Sequence, residues 1–357
     1  MWKKNPIVKI CNLRFPLIQA PMANITTARL VAAVSNAGGL GSLGAAYMSP
    51  KEIKEAIREI RDLSEMPFAV NLFAPTSTSY DKKGIASAQK FLDPFRKELN
   101  IPKTEPDFSE LPEFSEQIEI ILEEKPPIFS FTLGIPPLPF LQRLKKQKIV
   151  TIGTATTVEE ALLLEKSGVD AVVAQGAEAG GHRGTFIQLA NDPMLGIFAL
   201  IPLLTRALKI PVIAAGGIMN GEGIAAAFAL GAAAAQLGTA FLACPESGAS
   251  RPYKDALLHP HGTATVVTSV FSGRPARMLY NRFIKEMELK NGSIAPFPYQ
   301  NLLTKDIRTA AAKMNRADLI PLYAGQNYSL ITNLPAHEMI PLLVEQTISA
   351  IQRLGDY

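Results

Sequence analysis

The chain alternates short apolar runs with longer segments of helical period. Eight runs stand out: residues 16–22 (PLIQAPM), 40–43, 68–73 (FAVNLF), 128–133, 149–152, 171–174, 212–215 and 234–237. They are apolar almost throughout, so each predicts a strand buried on both faces. Each of the first seven is followed by a segment that can be helical. Thr26 or Thr27 can cap the first of these helices, Gly38 and Gly39 end it, and Ser49 followed by Pro50 opens the second. Apolar strands alternating with helices indicate a parallel sheet, and eight of them in about 225 residues predict a (β/α)8 TIM barrel.

An internal echo supports this. Residues 157–161 (TVEEA) begin a helix that ends at Gly168, and the next strand runs into Gln175 and Gly176. Gly221 and Glu222 begin an alanine-rich helix ending at Gly231, and the next strand runs into Gln236, Leu237 and Gly238. Both copies place a glutamine and a glycine at the carboxyl end of a strand, the active-site end of a barrel.

Two stretches break the rhythm. Residues 75–125 hold two expected helices, 84–99 and 112–124. After residue 246 the alternation stops, and residues 246–334 read as a smaller, mainly helical domain over the substrate site. The expected organisation is a barrel over 1–245 with an insertion at 75–125, the smaller domain, and a last helix within 335–357 packing back on the barrel.

The chain has 357 residues, 47% hydrophobic and 19% charged, ample material for a large core. Lys+Arg 36 against Asp+Glu 32 leaves a net +4, with no arginine-rich tract, so nucleic acid is not an expected partner. Cys11 and Cys244 are far apart, which argues against a disulfide framework and a zinc site. Residues 223–244 carry no charge, but they are alanine-rich and interrupted by Gly231, Gln236, Gly238 and Thr239. A buried helix and strand fit better than a membrane span. The N-terminus is not a secretory signal. A soluble, cytoplasmic monomer or homodimer is expected.

The strongest chemical segment is 174–184, AQGAEAGGHRG. Gly176, Gly180, Gly181 and Gly184 let backbone approach a ligand, and His182 sits among them after a buried strand. A surface turn is the alternative. Gly216 and Gly217 end the seventh strand before a helix, whose N-terminal N–H groups could join them in an anion site. Gln236, Leu237, Gly238 and Thr239 end the eighth strand, and barrels often hold phosphate there. Pro21 and Met22 follow the first strand. Asn71 ends the third, and its carboxamide, like that of Gln175, suits a heterocycle edge. His259 and His261, separated by a proline and without nearby carboxylates, read as a loop, and no metal is expected. Arg274 and Arg277 in GRPAR read as structural salt-bridge residues.

The segments QAPMA (19–23), NLF (71–73), AQGAEAGGHRG, AAGGI (214–218), QLGTAFL (236–242), GRPAR (273–277) and PYQNLLTKDIR (298–308) resemble the class I nitronate monooxygenases. The resemblance covers most of the chain. It implies FMN, held by Pro21, Met22, Asn71, Gln175, Gly180, Gly181, Gly216, Gly217, Gln236, Leu237, Gly238 and Thr239, with His182 as the catalytic histidine. Thr132 stands where some members of that family carry a histidine. The expected substrates are a nitronate or nitroalkane and O2, and a neutral imidazole near its ordinary pKa would take the α-proton of a nitroalkane. The alternatives are a flavin-dependent enoyl-acyl-carrier-protein reductase using NADH and a non-catalytic flavin carrier.

Overall fold

The computed structural model describes residues 2–75, 82–102, 107–108, 111–187, 192–259, 264–289 and 294–355. Its strands are β1 (Leu17–Gln19), β2 (Gly41–Gly44), β3 (Phe68–Phe73), β4 (Ile128–Thr132), β5 (Val150–Ala155) and β6 (Ala171–Gln175), then β7 (Gly181–His182), β8 (Val212–Ala215), β9 (Ala234–Leu237), β10 (Thr265–Thr268) and β11 (Ala276–Leu279). Eight of them pair in parallel in the order β1-β9-β8-β6-β5-β4-β3-β2. A parallel bridge between Ile18 and Leu40 joins β1 to the start of β2, nearly closing the barrel.

Alternate residues along each strand enter different cores, because the side-chain period of a strand is two. Ala69, Val173, Ile213 and Ala234 belong to the cluster that includes Ile7, Val8 and Cys11 of the short helix Pro6–Cys11. That helix packs beneath the strands, and Asn5 caps it while bonding Ala233 O at 2.7 Å. Val70, Val172, Ala214 and Ala235 belong instead to the cluster shared with the outer helices. The caps follow the side-chain chemistry: Thr27 accepts from Leu30 N, and Ser49 with Glu52 forms a capping box on Pro50–Leu63. The last helix, Ala336–Gly355, packs against Gly221–Ala229 and Ala28–Asn36. A Cβ on Gly221 would lie 2.3 Å from Thr347 N, so glycine permits this approach.

Residues 246–334 include the helices Arg251–Leu258, Arg282–Glu288, Tyr299–Leu303 and Lys305–Lys313. They also hold the antiparallel pair β10 and β11, which a reading of helical periodicity alone misses. The helix Lys82–Glu98 packs into the core of this region rather than onto the barrel wall, through Ile85, Ala88, Leu92 and Phe95. Arg96, 5% exposed, bonds Asp306 at 2.7 Å and Leu303 O at 2.8 Å. Glu98 bridges Arg282 and Arg316.

Candidate active site

Gln175, Ala215 and Gln236 lie side by side across β6, β8 and β9, and Asn71 lies opposite Ser130 across β3 and β4. This register brings their side chains to the carboxyl mouth of the barrel. There a cavity of about 610 Å³ opens, within the usual range for a ligand site. Pro21, Met22, Asn71, Gln175, Gly180, Gly181, His182, Gly216, Gly217, Gln236, Gly238 and Thr239 all line it. Leu237 does not. Its side chain is 1% exposed in the core shared with the outer helices, because the strand period turns it away from its neighbours Gln236 and Gly238, and its carbonyl accepts from Ala20 N.

The glycine loops give this wall its shape. A Cβ on Gly181 would have nothing within 4 Å, and one on Gly238 would meet only Ala20 and Met22 at 3.4 Å or more. Bare backbone therefore faces the cavity at both. Gly216 and Gly217 are left-handed in succession, with φ 135° and 65°. The helix start beyond them does not belong to the expected anion site. Asn220 Oδ1 accepts from Gly223 N and Gln346 Oε1 from Gly221 N, so protein groups already satisfy those donors.

The His182 segment is not the free loop that four glycines suggest. Gly181 and His182 form β7 and pair with Arg277 and Ala276 of β11, so the second region reaches into the barrel mouth. Gln175 Nε2 donates to His182 O at 3.0 Å, and Gln175 Oε1 accepts from Gly184 N at 2.7 Å. Only one N–H of its carboxamide is left for a ligand. Among the described residues Arg274 makes no ion pair of the kind expected from the sequence. It donates to the carbonyls of Thr185 and Arg183. Arg277 likewise donates to Ala177 O and to Thr265 Oγ1. His259 ends the helix Arg251–Leu258, and His261 lies outside the described residues.

His182 Nε2 lies 2.9 Å from Ser272 Oγ. Phe73, Phe297 and Tyr323 surround its ring at centroid distances of 6.1, 5.8 and 5.5 Å. Burial, then the charges of Arg274 and Arg308, push its pKa down to about 3, well below the ordinary value expected from the sequence. It is neutral at physiological pH, and a weak base.

Several lining residues carry no local signal in the sequence. Tyr47 lies three residues past the end of β2, and Tyr253, Tyr323, Asn301, Lys305 and Arg308 come from segments remote from the barrel strands. Among the described lining residues the charged ones are Lys305 and Arg308, both cations, so the cavity favours an anion. Tyr47 Oη is buried with no hydrogen-bond partner among the described residues, and burial pushes its pKa up. Thr132 also lines the cavity. The arrangement fits a flavin: bare backbone at Gly181 and Gly238, polar side chains at Asn71 and Gln236, and the side chain of Met22 all line the cavity.

The family profile for nitronate monooxygenase matches residues 4–346. A probable nitronate monooxygenase of Staphylococcus haemolyticus is 43% identical over 348 residues, covering 97% of this chain and 98% of that one. One from Staphylococcus aureus is 42% identical over 353 residues, covering 99% of each. Among solved structures, nitroalkane oxidase from Streptomyces ansochromogenes superposes with a TM-score of 0.91 at 38% identity, over 98% of this chain and 99% of that one. FabK from Thermotoga maritima superposes with a TM-score of 0.77 at 29% identity, over 99% of each. Of the described helices, none is long and apolar enough to cross a membrane. In family profile, full-length identity and three-dimensional likeness, the chain belongs to the nitronate monooxygenase family, and it is a flavin-dependent monooxygenase.

Proposed function

We propose that this enzyme binds FMN and oxidises alkyl nitronates, such as propionate 3-nitronate, with O2 to a carbonyl compound and nitrite, removing toxic nitronates from the cytoplasm. The observation that carries this reading is His182 in a cavity whose charged lining residues, among those described, are Lys305 and Arg308. A nitronate is an anion, and these cations attract it.

The flavin, when bound, supplies the electron acceptor. The loops at Gly180, Gly216, Gly217, Gly238 and Thr239 would hold its phosphate with backbone N–H groups. Pro21, Met22, Asn71, Gln236 and the remaining N–H of Gln175 would hold its ring. Tyr47 Oη would donate to the substrate's nitro oxygens. His182, unprotonated, would accept the α-proton when the substrate arrives as the neutral nitroalkane. Phe73, Phe297 and Tyr323 would pack around the His182 ring and hold its plane.

The test is to release the cofactor by heat, identify it by chromatography, and then add propionate 3-nitronate in air. FMN, oxygen uptake and nitrite are expected. FAD, or no oxygen uptake, overturns the reading. NADH oxidation with an enoyl thioester and no activity on nitronates would establish the reductase alternative.

A further inference from the structure

Ser272 is 1% exposed, and its hydroxyl has a single proton. Of its three contacts, two compete for that proton. Oγ lies 3.1 Å from Arg274 O, an acceptor that cannot donate. Arg274 N donates to Oγ at 3.3 Å. His182 Nε2 lies 2.9 Å away, and this contact takes either direction. If the proton goes to Arg274 O, all three contacts are satisfied only when Nε2 carries hydrogen and donates to Oγ. If it goes to Nε2 instead, the Arg274 carbonyl loses this buried partner.

The surroundings hold this geometry. Arg183 N donates to Pro275 O at 2.9 Å, and β7 pairs with β11 directly after the turn. The Arg274 side chain is tied to the carbonyls of Arg183 and Thr185. The backbone of the turn and of β7 thus places the serine hydroxyl against the histidine ring. Among the described residues Nδ1 has no hydrogen-bond partner.

We infer that Ser272 is a positioning residue that holds the His182 imidazole in its Nε2–H form, leaving Nδ1 as the atom offered to the substrate. This rests on the proposed role of His182. With a neutral nitroalkane, the Cα–H bond breaks, its electron pair passes into the nitro group, and the proton goes to Nδ1. The resulting imidazolium keeps its Nε2–H on Ser272 Oγ. With a preformed nitronate no proton is transferred, and the tautomer matters little.

The experiment is nitrogen NMR of the holoenzyme labelled with 15N-histidine. The chain has four histidines, and the His182→Asn variant identifies the His182 signals. The expected result is a protonated Nε2 and an unprotonated Nδ1, observed without turnover. A protonated Nδ1 overturns the inference whatever the substrate proves to be. In Ser272→Ala the two tautomers should mix, and kcat on a neutral nitroalkane should fall about 10–100-fold, the worth of one hydrogen bond to a charged group. KM and turnover of the preformed nitronate should stay near the parent values. Ser272→Thr, which keeps the hydroxyl, should restore the single tautomer. An unchanged tautomer and kcat in Ser272→Ala overturn the inference, and equal losses on both substrate forms do the same. If the tautomer is as stated but the protein oxidises no nitronate, the functional reading fails and the structural one stands.

Discussion

Arg183 and Asp192 form a two-pronged ion pair beneath the candidate site, with Nε–Oδ2 at 2.8 Å and Nη2–Oδ1 at 3.2 Å. The Arg183 side chain is 1% exposed and that of Asp192 11%. Arg183 Nη1 also donates to Gly176 O at 2.9 Å, so the pair ties Asp192 to the end of β6. His182 thus stands on a strand anchored from below.

Breaking this pair should destabilise the protein and leave the catalytic groups in place. Asp192→Ala leaves a buried guanidinium without its counter-ion, which costs about 3–5 kcal/mol. Denaturant unfolding should show it, and a loss below about 1 kcal/mol would mean that carbonyls alone satisfy Arg183. Burial pushes the Asp192 carboxyl up, but bonds from Arg183 and Met194 N–H and the Arg183 charge outweigh it, leaving the pKa below its ordinary value. A depressed carboxyl contributes stability above its unfolded pKa. That contribution should fade as pH falls below about 4, and be absent from the pH profile of Asp192→Ala.

Gly217→Asp should purify folded and without flavin. The left-handed φ of 65° tolerates aspartate better than most residues, and the added Cβ meets only Glu178, at 3.1 Å. Its carboxylate would repel the cofactor's phosphate. Absorbance of the purified variant decides the point, and full flavin loading would move the phosphate site elsewhere. Gly180→Val is a poorer probe, because its Cβ would sit 2.6 Å from the backbone at Ala324 and Gly325. It should lower the unfolding temperature as well as flavin content.

His182→Asn should retain flavin, since the expected phosphate and ring contacts come from other residues. Turnover of a neutral nitroalkane should fall about 10²–10⁴-fold, and that of its preformed nitronate much less. Equal losses would make His182 a binding group rather than a base. With a pKa of about 3, His182 stays unprotonated from pH 5 to 8. The parent enzyme should therefore show no acidic limb near pH 6.5 in kcat/KM, and such a limb would mean that the bound cofactor raises this pKa.

Tyr47→Phe should leave the unfolding temperature unchanged or slightly raised, because the lost hydroxyl has no partner among the described residues. The nitronate KM should rise about 10-fold or more, the worth of a hydrogen bond to a charged group. An unchanged KM would place the substrate away from this phenol.

The barrel was legible in the sequence because burial on both faces leaves a local mark. FAVNLF became β3 with the same ends, and residues 212–215 and 234–237 became β8 and β9 unchanged. Helix starts at Thr27 and Ser49 were equally local, since a cap acts within three residues. The motif residues at strand ends met in one cavity because parallel strands deliver their carboxyl ends to one side. What the sequence could not decide depends on contacts between distant segments. Nothing near His182 indicates that it pairs with Ala276, or that Ser272, 90 positions on, fixes its ring. Asn220 is a local cap for Gly223 N, but nothing near Gly221 shows that the remote Gln346 occupies its N–H, a helix donor expected to bind an anion. The low pKa of His182 follows from its burial and from Arg274 and Arg308, which lie in other elements. Side-chain identity sets which chemistry is available, whereas electrostatic environment and hydrogen-bond direction arise only when remote segments share the same small volume.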